Sequence, residues 1–196
     1  MKGIKLLTLS AFSTVLLSFT PASKKVIVID AGHGGNDRGV VYSNILEKDI
    51  TMNIAKEIKK FNENQDQYEV ILTRDSDTYP SLSDRTAMIN KLNPEMVISL
   101  HVNGSPQKES PQQGTEIYVQ NTEDSKQLAK KISEKFDVRK VEERNLHILR
   151  ETKAPAVLVE LGFINNTKDR EYMTSEKGQK EIAKKFTEII SEYPIK

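Results

Sequence analysis

The sequence predicts an α/β fold: a single domain built on a twisted, mostly parallel central sheet of about six strands, with helices on both faces. Three observations carry this reading. Short runs such as residues 26–29 (VIVI) and 96–100 (MVISL) are apolar along their length, as strands covered on both faces must be. Segments with apolar residues at helical spacing separate them, so strand and helix alternate along the chain. Finally, 196 residues with 37% hydrophobic and 29% charged side chains suffice for one sizeable core and leave little for a second.

The amino terminus stands apart. Lys2 and Lys5 precede about fourteen uncharged, mainly apolar residues (6–19), and Thr20-Pro21-Ala22 supplies short side chains. Basic, apolar and small-residue zones in that order predict a secretory signal peptide over residues 1–22 and a folded domain over 23–196. The protein is therefore expected to be exported, to the periplasm or to the cell wall and extracellular space. The apolar zone falls short of the ~20 residues a membrane helix needs, so no membrane span is expected in the mature chain. Taking Lys2 and Lys5 from the 29 basic side chains leaves 27 against 28 acids. Such balance argues against nucleic acid or an anionic membrane as the partner. The chain has no cysteine, which excludes a thiolate nucleophile and a Cys-type zinc site.

The first strand, 26–29, stops at Asp30 and runs into Gly32-His33-Gly34-Gly35. These glycines allow a tight turn and keep space open around His33. The imidazole is thus displayed at the carboxyl end of a core strand, where open α/β sheets place their ligands. A helix from about 48 to 61 follows, on Ile50, Ile54, Ile58 and Phe61. Glu47 opens it, either complementing the helix dipole or serving the site. Residues 68–73 form the second strand. Ser81 or Ser83 caps a helix carrying Leu82, Ala87, Ile89 and Leu92, which Asn93-Pro94 ends.

Residues 96–100 are the third strand, and His101 follows it as His33 follows the first. Residues 104–114 are rich in Pro, Ser and Gln and read as a surface loop. Then come a strand (115–119), a helix (125–136), a short strand (146–149) and the last clear strand, 156–161 (AVLVEL). Glu160 sits near the end of that strand, where a charge is costly unless paired or used. Thr167 and Ser175 read as caps of two terminal helices.

Parallel strands point their carboxyl ends at one edge. His33, His101 and Glu160 should gather there, with Glu47 reaching in from its helix. Two imidazoles and one carboxylate make a zinc shell, and a second carboxylate can transfer protons. Spacing leaves open which carboxylate does which. Asp30 either accepts the second ring N–H of a metal-bound histidine or caps the turn amides. Asn103 either contacts substrate or simply forms a turn with Gly104. His147, in LHIL, reads as structural or solvent-facing. No serine stands in a nucleophile-elbow context, which disfavours a Ser-His-Asp hydrolase.

VIVIDAGHGG, Glu47 at a helix start, Arg85 with Asn90 ahead of SLHVN, and PAVLVELGFINN occur in this order. Together they resemble the zinc-dependent N-acetylmuramoyl-L-alanine amidases of bacterial cell walls, over nearly the whole chain from about Lys25. The resemblance implies one Zn2+ per chain held by His33, Glu47 and His101, with Glu160 as the catalytic acid/base. It also implies peptidoglycan as substrate, cut at the amide joining the lactyl group of N-acetylmuramic acid to L-alanine. Arg85 would then pair either with a stem-peptide carboxylate or with Asp84 or Glu95, the structural role being favoured. Some members carry a regulatory helix after the second histidine. Here that interval is only 102–114 and contains Pro106 and Pro111, so the site is expected open, with no activator protein required. Rival readings are another zinc hydrolase acting on peptidoglycan, a peptidase or deacetylase, and a non-catalytic phosphate- or nucleotide-binding module. The last is disfavoured because Asp37 stands where the dinucleotide fingerprint has its third glycine.

Overall fold

A computed structural model describes residues 24–193. The signal peptide expected over 1–22 lies outside the described residues. Strand β1 (Lys25–Ala31) opens the domain and is fully buried from Ile27 onward. A two-stranded hairpin, β2 (Val41–Tyr42) and β3 (Ile45–Leu46), leads into helix α1 (Glu47–Phe61). Then follow β4 (Tyr68–Leu72), α2 (Leu82–Leu92), β5 (Met96–Asn103), β6 (Thr115–Val119) and α3 (Glu123–Lys135). The chain continues through β7 (Val138–Glu143), α4 (His147–Glu151), β8 (Ala156–Phe163), α5 (Thr167–Thr174) and α6 (Glu176–Glu192).

The main sheet has six strands in the order β4-β1-β5-β8-β6-β7. β4, β1, β5 and β8 are mutually parallel, and β6 turns antiparallel to β8 with β7 parallel beside it. Side chains alternate across the sheet. Ile27, Ile29, Ile98, Leu100, Val157 and Val159 face one layer, filled by apolar stripes of α1, α3, α5 and α6. Val28, Val97 and Leu158 face the other, where Ile89 of α2 and Ile148 and Leu149 of α4 close a smaller core. The expected α/β sheet with helices on both faces is what forms. None of the described helices is long and apolar enough to cross a membrane.

Local chemistry sets the helix starts. Ser81 makes a capping box with Asp84 at α2, and Ser175 accepts from the Gly178 amide at α6. At α5 the cap is Asn166, whose side chain accepts from the amides of Lys168 and Asp169. Thr167 is instead the first helical residue. The short strand expected over 146–149 is also corrected, because these residues open α4, with Arg150 N donating to Leu146 O at 2.8 Å. Four apolar-leaning residues do not distinguish a buried helical turn from a strand. Strand β7 (VRKVEE) was hidden by its charges, which suit an exposed sheet edge. Residues 104–114 contain no helix, as expected.

Candidate metal centre

The carboxyl ends of β1 and β5 lie side by side, with Ala31 paired to Leu100. Past Ala31 the chain turns sharply, and His33 adopts a left-handed φ of 60°. That conformation disfavours a side-chain-bearing residue, so neighbouring bonds must hold it. Two buried arginines do so. Arg85 donates to Ala31 O (2.7 Å) and His33 O (2.6 Å), while Arg74 donates to Ala31 O (2.9 Å) and Gly32 O (2.8 Å). Gly32 is required for space, since a Cβ there would collide with the His101 ring. Gly39 (φ 65°) likewise leaves no room for a side chain against Glu47.

Glu47, only 2% exposed, is the centre of the cluster. Its Oε1 lies 3.0 Å from His33 Nε2 and 3.0 Å from His101 Nδ1, and it accepts from Val102 N at 2.9 Å. Its Oε2 accepts from Val40 N at 2.8 Å, so the loop before the hairpin helps to aim the carboxylate. One ligand atom from each of His33, Glu47 and His101 lies within 4.8 Å of the others. Two imidazole nitrogens and one carboxylate oxygen at this spacing are a donor set suited to a zinc-sized divalent cation.

Electrostatics follow from this packing. Burial raises the Glu47 carboxyl, but hydrogen bonds and charge from both histidines outweigh it and bring the pKa down to about 2. Burial lowers His33, and Glu47 and Asp37 together outweigh that and raise it to about 9. Asp37 Oδ2 lies 2.9 Å from His33 Nδ1. That contact places a proton on Nδ1 and turns Nε2 toward the cluster.

The carboxylate that meets a ring nitrogen of His33 is thus Asp37 and not Asp30. Asp30 Oδ1 is taken by Thr73 Oγ1 (2.6 Å) and Arg85 Nη1 (2.7 Å), and Oδ2 by Ser99 Oγ (2.7 Å). It caps no turn amide either. Burial opposes ionisation of Asp30, yet the Arg85 charge and these hydrogen bonds keep its pKa below the ordinary value. Arg85 pairs with Asp30 rather than with Asp84 or Glu95. Asn103 ends β5, with Nδ2 donating to Glu116 Oε2 at 3.0 Å and Oδ1 accepting from Gly104 N at 2.8 Å.

Glu160 lies on β8 opposite His101 on one side and Glu116 on the other. It is not among the three clustered residues. Its Oε2 is buried with no hydrogen-bond partner. Burial, reinforced by Glu47 and Glu116, outweighs the pull of the two histidines and raises its pKa to about 7. A carboxyl poised there can give or take a proton near neutral pH.

Beside both imidazoles opens a cavity of about 190 Å³ whose wall combines the apolar Tyr79, Pro80, Leu82, Leu146 and Ile148 with the polar Asp30, Asp37, Arg85 and Ser99. His147, at the start of α4, joins this wall with a buried, unpartnered Nε2. Sequence reasoning missed Arg74, Asp37 and Glu116. Asp37 alone carried a local signal, a carboxylate four residues after a histidine in a glycine turn.

Residues 27–192 match the family model described as N-acetylmuramoyl-L-alanine amidase. The chain is 31% identical over 183 residues to the uncharacterized protein YqiI of Bacillus subtilis, covering 88% of this chain and 86% of that protein. It superposes with a TM-score of 0.81 and 33% identity on the catalytic domain of CwlV, an N-acetylmuramoyl-L-alanine amidase from Bacillus (Paenibacillus) polymyxa var. colistinus, covering 86% of this chain and 97% of that one. The CwlD amidase of Clostridioides difficile, solved in complex with the GerS lipoprotein, matches with a TM-score of 0.79 and 30% identity over 87% of this chain and 98% of that one. With the fold, the clustered histidines and the match along the described domain in agreement, the chain belongs to the N-acetylmuramoyl-L-alanine amidase family.

Proposed function

We propose that the protein is a zinc-dependent N-acetylmuramoyl-L-alanine amidase that cuts the lactyl–L-alanine amide of peptidoglycan. The observation that carries this is the meeting of His33, Glu47 and His101 beside a buried carboxyl, Glu160, that has an unpartnered oxygen. One Zn2+ would be held by His33 Nε2, His101 Nδ1 and the Glu47 carboxylate. Zinc supplies Lewis acidity at such a site, polarising a carbonyl and bringing the pKa of water to about 7.

The protein's own groups do the rest. Asp37 holds His33 by Nδ1 so that Nε2 faces the cluster. The amides of Val40 and Val102 keep Glu47 from rotating away. Glu160 takes the proton of the attacking water as the new C–O bond forms. It then gives that proton to the departing nitrogen as the C–N bond breaks, leaving a lactyl carboxylate and a free L-alanine amine. The absence of a helix over 104–114 supports a site that works without an activator, although CwlD was solved with a lipoprotein partner. Residues 1–22 would direct export to the cell wall, where this polymer lies.

Mass spectrometry of peptidoglycan digested by the purified zinc-loaded protein tests the reading. Free stem peptides beginning with L-alanine are expected. New amino groups on the sugars would identify a deacetylase instead, and cuts within the stem a peptidase.

A further inference from the structure

Strand β7 (VRKVEE) ends the sheet, and among the described residues it pairs with β6 alone. Its outer edge therefore presents backbone groups that no strand satisfies. Arg144 N donates to Val119 O on β6 at 3.2 Å. Backbone direction alternates along a strand, so Lys140 and Glu142 also face β6, whereas Val141 and Glu143 turn their N–H and C=O outward. Upstream this phase breaks at the bulge beside Glu116, where Arg139 is held by an ion pair with Glu116 at 2.7 Å. Val141 stands at the middle of the edge, a large apolar side chain left 49% exposed in register with the buried Ile117. Helix α3 packs over β6 and β8 and reaches β7 through Lys126, which pairs with Glu143 at 2.9 Å.

The charges on this strand would repel most added strands, but not a second copy running the other way. In an antiparallel pair, outward residues must meet outward residues, so a two-fold axis has to pass through a residue and not between two. With the axis at Lys140 or at Glu142, like charges meet across it. With the axis at Val141, the two valines meet, and Lys140 of each copy stands opposite Glu142 of the other. Those two charge pairs occupy the close positions of the ladder, with Cα atoms about 4.5 Å apart. In-register parallel pairing would again set like charge beside like.

We infer that β7 is a self-association edge. Two copies of this chain join β7 to β7, antiparallel and centred on Val141, so that their sheets become one. Within its own strand Glu142 pairs with Lys140 at 2.6 Å and with Arg144 at 2.8 Å. Exposed pairs of this kind contribute little alone and can be shared, so Lys140 and Glu142 of both copies form a square of alternating charge. Each Val141 covers the other and extends the apolar row begun by Ile117. The axis is perpendicular to the sheet, which turns the two metal centres to opposite sheet edges and leaves both open. One strand pair is a small interface, so the dimer is weak and concentration-dependent.

Sedimentation velocity of the purified protein over a rising concentration series tests this, with dimer expected at the upper end. Hydrogen exchange at the Val141 amide should slow over the same series, while the Arg144 amide is protected throughout. Lys140→Glu and Glu142→Lys should each weaken self-association about tenfold or more, because both cross-strand contacts turn repulsive. Mixed one to one, these two variants should associate with each other, since each supplies the charge that the other lacks. The double variant Lys140→Glu/Glu142→Lys should self-associate again. Thermal melts of the single variants confirm that they fold. A protein that stays monomeric up to about 1 mM would overturn the inference. So would a dimer that neither reversal weakens, or single variants that remain apart when mixed.

Discussion

The two halves of the candidate site are built on opposite terms. Around His33 nearly every polar group is tied down, with turn carbonyls held by Arg74 and Arg85 and both Glu47 oxygens held by backbone amides. Around Glu160 the protein leaves a buried oxygen with no partner and sets a second carboxylate, Glu116, across the strand pair. The first arrangement fixes geometry before any cation arrives. The second holds a carboxyl where its ionised form is disfavoured. A hydrolytic site needs both, rigid donors for the cation and a base whose proton affinity is raised. On the proposed reading, satisfying Glu160 with a hydrogen bond would stabilise the fold and dull its part in proton transfer.

The largest expected effect separates these halves most sharply. Glu160→Gln should lower amide hydrolysis by about 10²–10⁴-fold, the range for loss of a general acid/base, while keeping one zinc per chain by metal analysis. The same variant should be more stable than wild type when metal-free and alkaline. The Glu160 pKa is raised from 4.5 to about 7, so the native state binds the extra proton between those values. Its destabilising contribution is therefore absent below about pH 4.5, grows through the interval and is complete above about pH 7. Thermal melts of the metal-free proteins at pH 5 and pH 8 check the sign. Loss of zinc from Glu160→Gln would show instead that this carboxylate belongs to the coordinating half.

Arg85→Ala attacks the other half and should reverse the pattern. Arg85 and Asp30 are each about 3% exposed at the side chain, and their ion pair spans 2.7 Å. Removing one partner leaves a buried charge alone, which costs about 3–5 kcal/mol. It also frees the carbonyl that holds His33 in its left-handed turn. Denaturant unfolding should thus report the main loss, and zinc affinity should fall with it. Arg85→Ala combined with Asp30→Asn should recover part of the stability, because the orphaned charge is gone. Full stability in Arg85→Ala would mean that the turn holds itself.

The same contrast explains what could be read from the amino-acid order. His33, His101 and Glu160 were legible because each follows or ends an apolar strand, and parallel strands present those ends together. Glu47 was legible through its place at the helix start. Arg74 and Arg85 were harder, since their partners are backbone carbonyls, which no pattern of side chains announces. Asp30 looked like the orienting carboxylate because it adjoins the turn in sequence. Alternation along β1 instead sends it to the Arg85 and Ser99 side, and the turn brings Asp37 back to His33. The strand β7 and the helix α4 were missed or misread for a related reason. Their identity comes from position at the sheet edge and over the smaller core, not from local periodicity.

The smallest expected effect lies at Asp37, where orientation rather than ligation is at stake. Asp37→Asn should weaken zinc binding by about 10–100-fold, as loss of a partner to a metal-bound histidine does. Proton linkage makes this separable from general damage. In the metal-free protein His33 is raised from 6.5 to about 9, so at neutral pH its ring carries a proton that ligation must expel. Zinc affinity should therefore climb about tenfold per pH unit up to about pH 9 and then level off, if this ring is the sole group releasing a proton over that range. The same shift stabilises the metal-free fold fully below about pH 6.5 and ceases to do so as pH rises through about 9. In the Asp37→Asn protein one of the two carboxylates raising His33 is gone, so affinity should level off at a lower pH. Calorimetric titration with zinc in two buffers of different ionisation enthalpy measures the released proton directly. An Asp37→Asn protein that binds zinc with the wild-type pH profile would leave Glu47 as the group that sets the His33 proton.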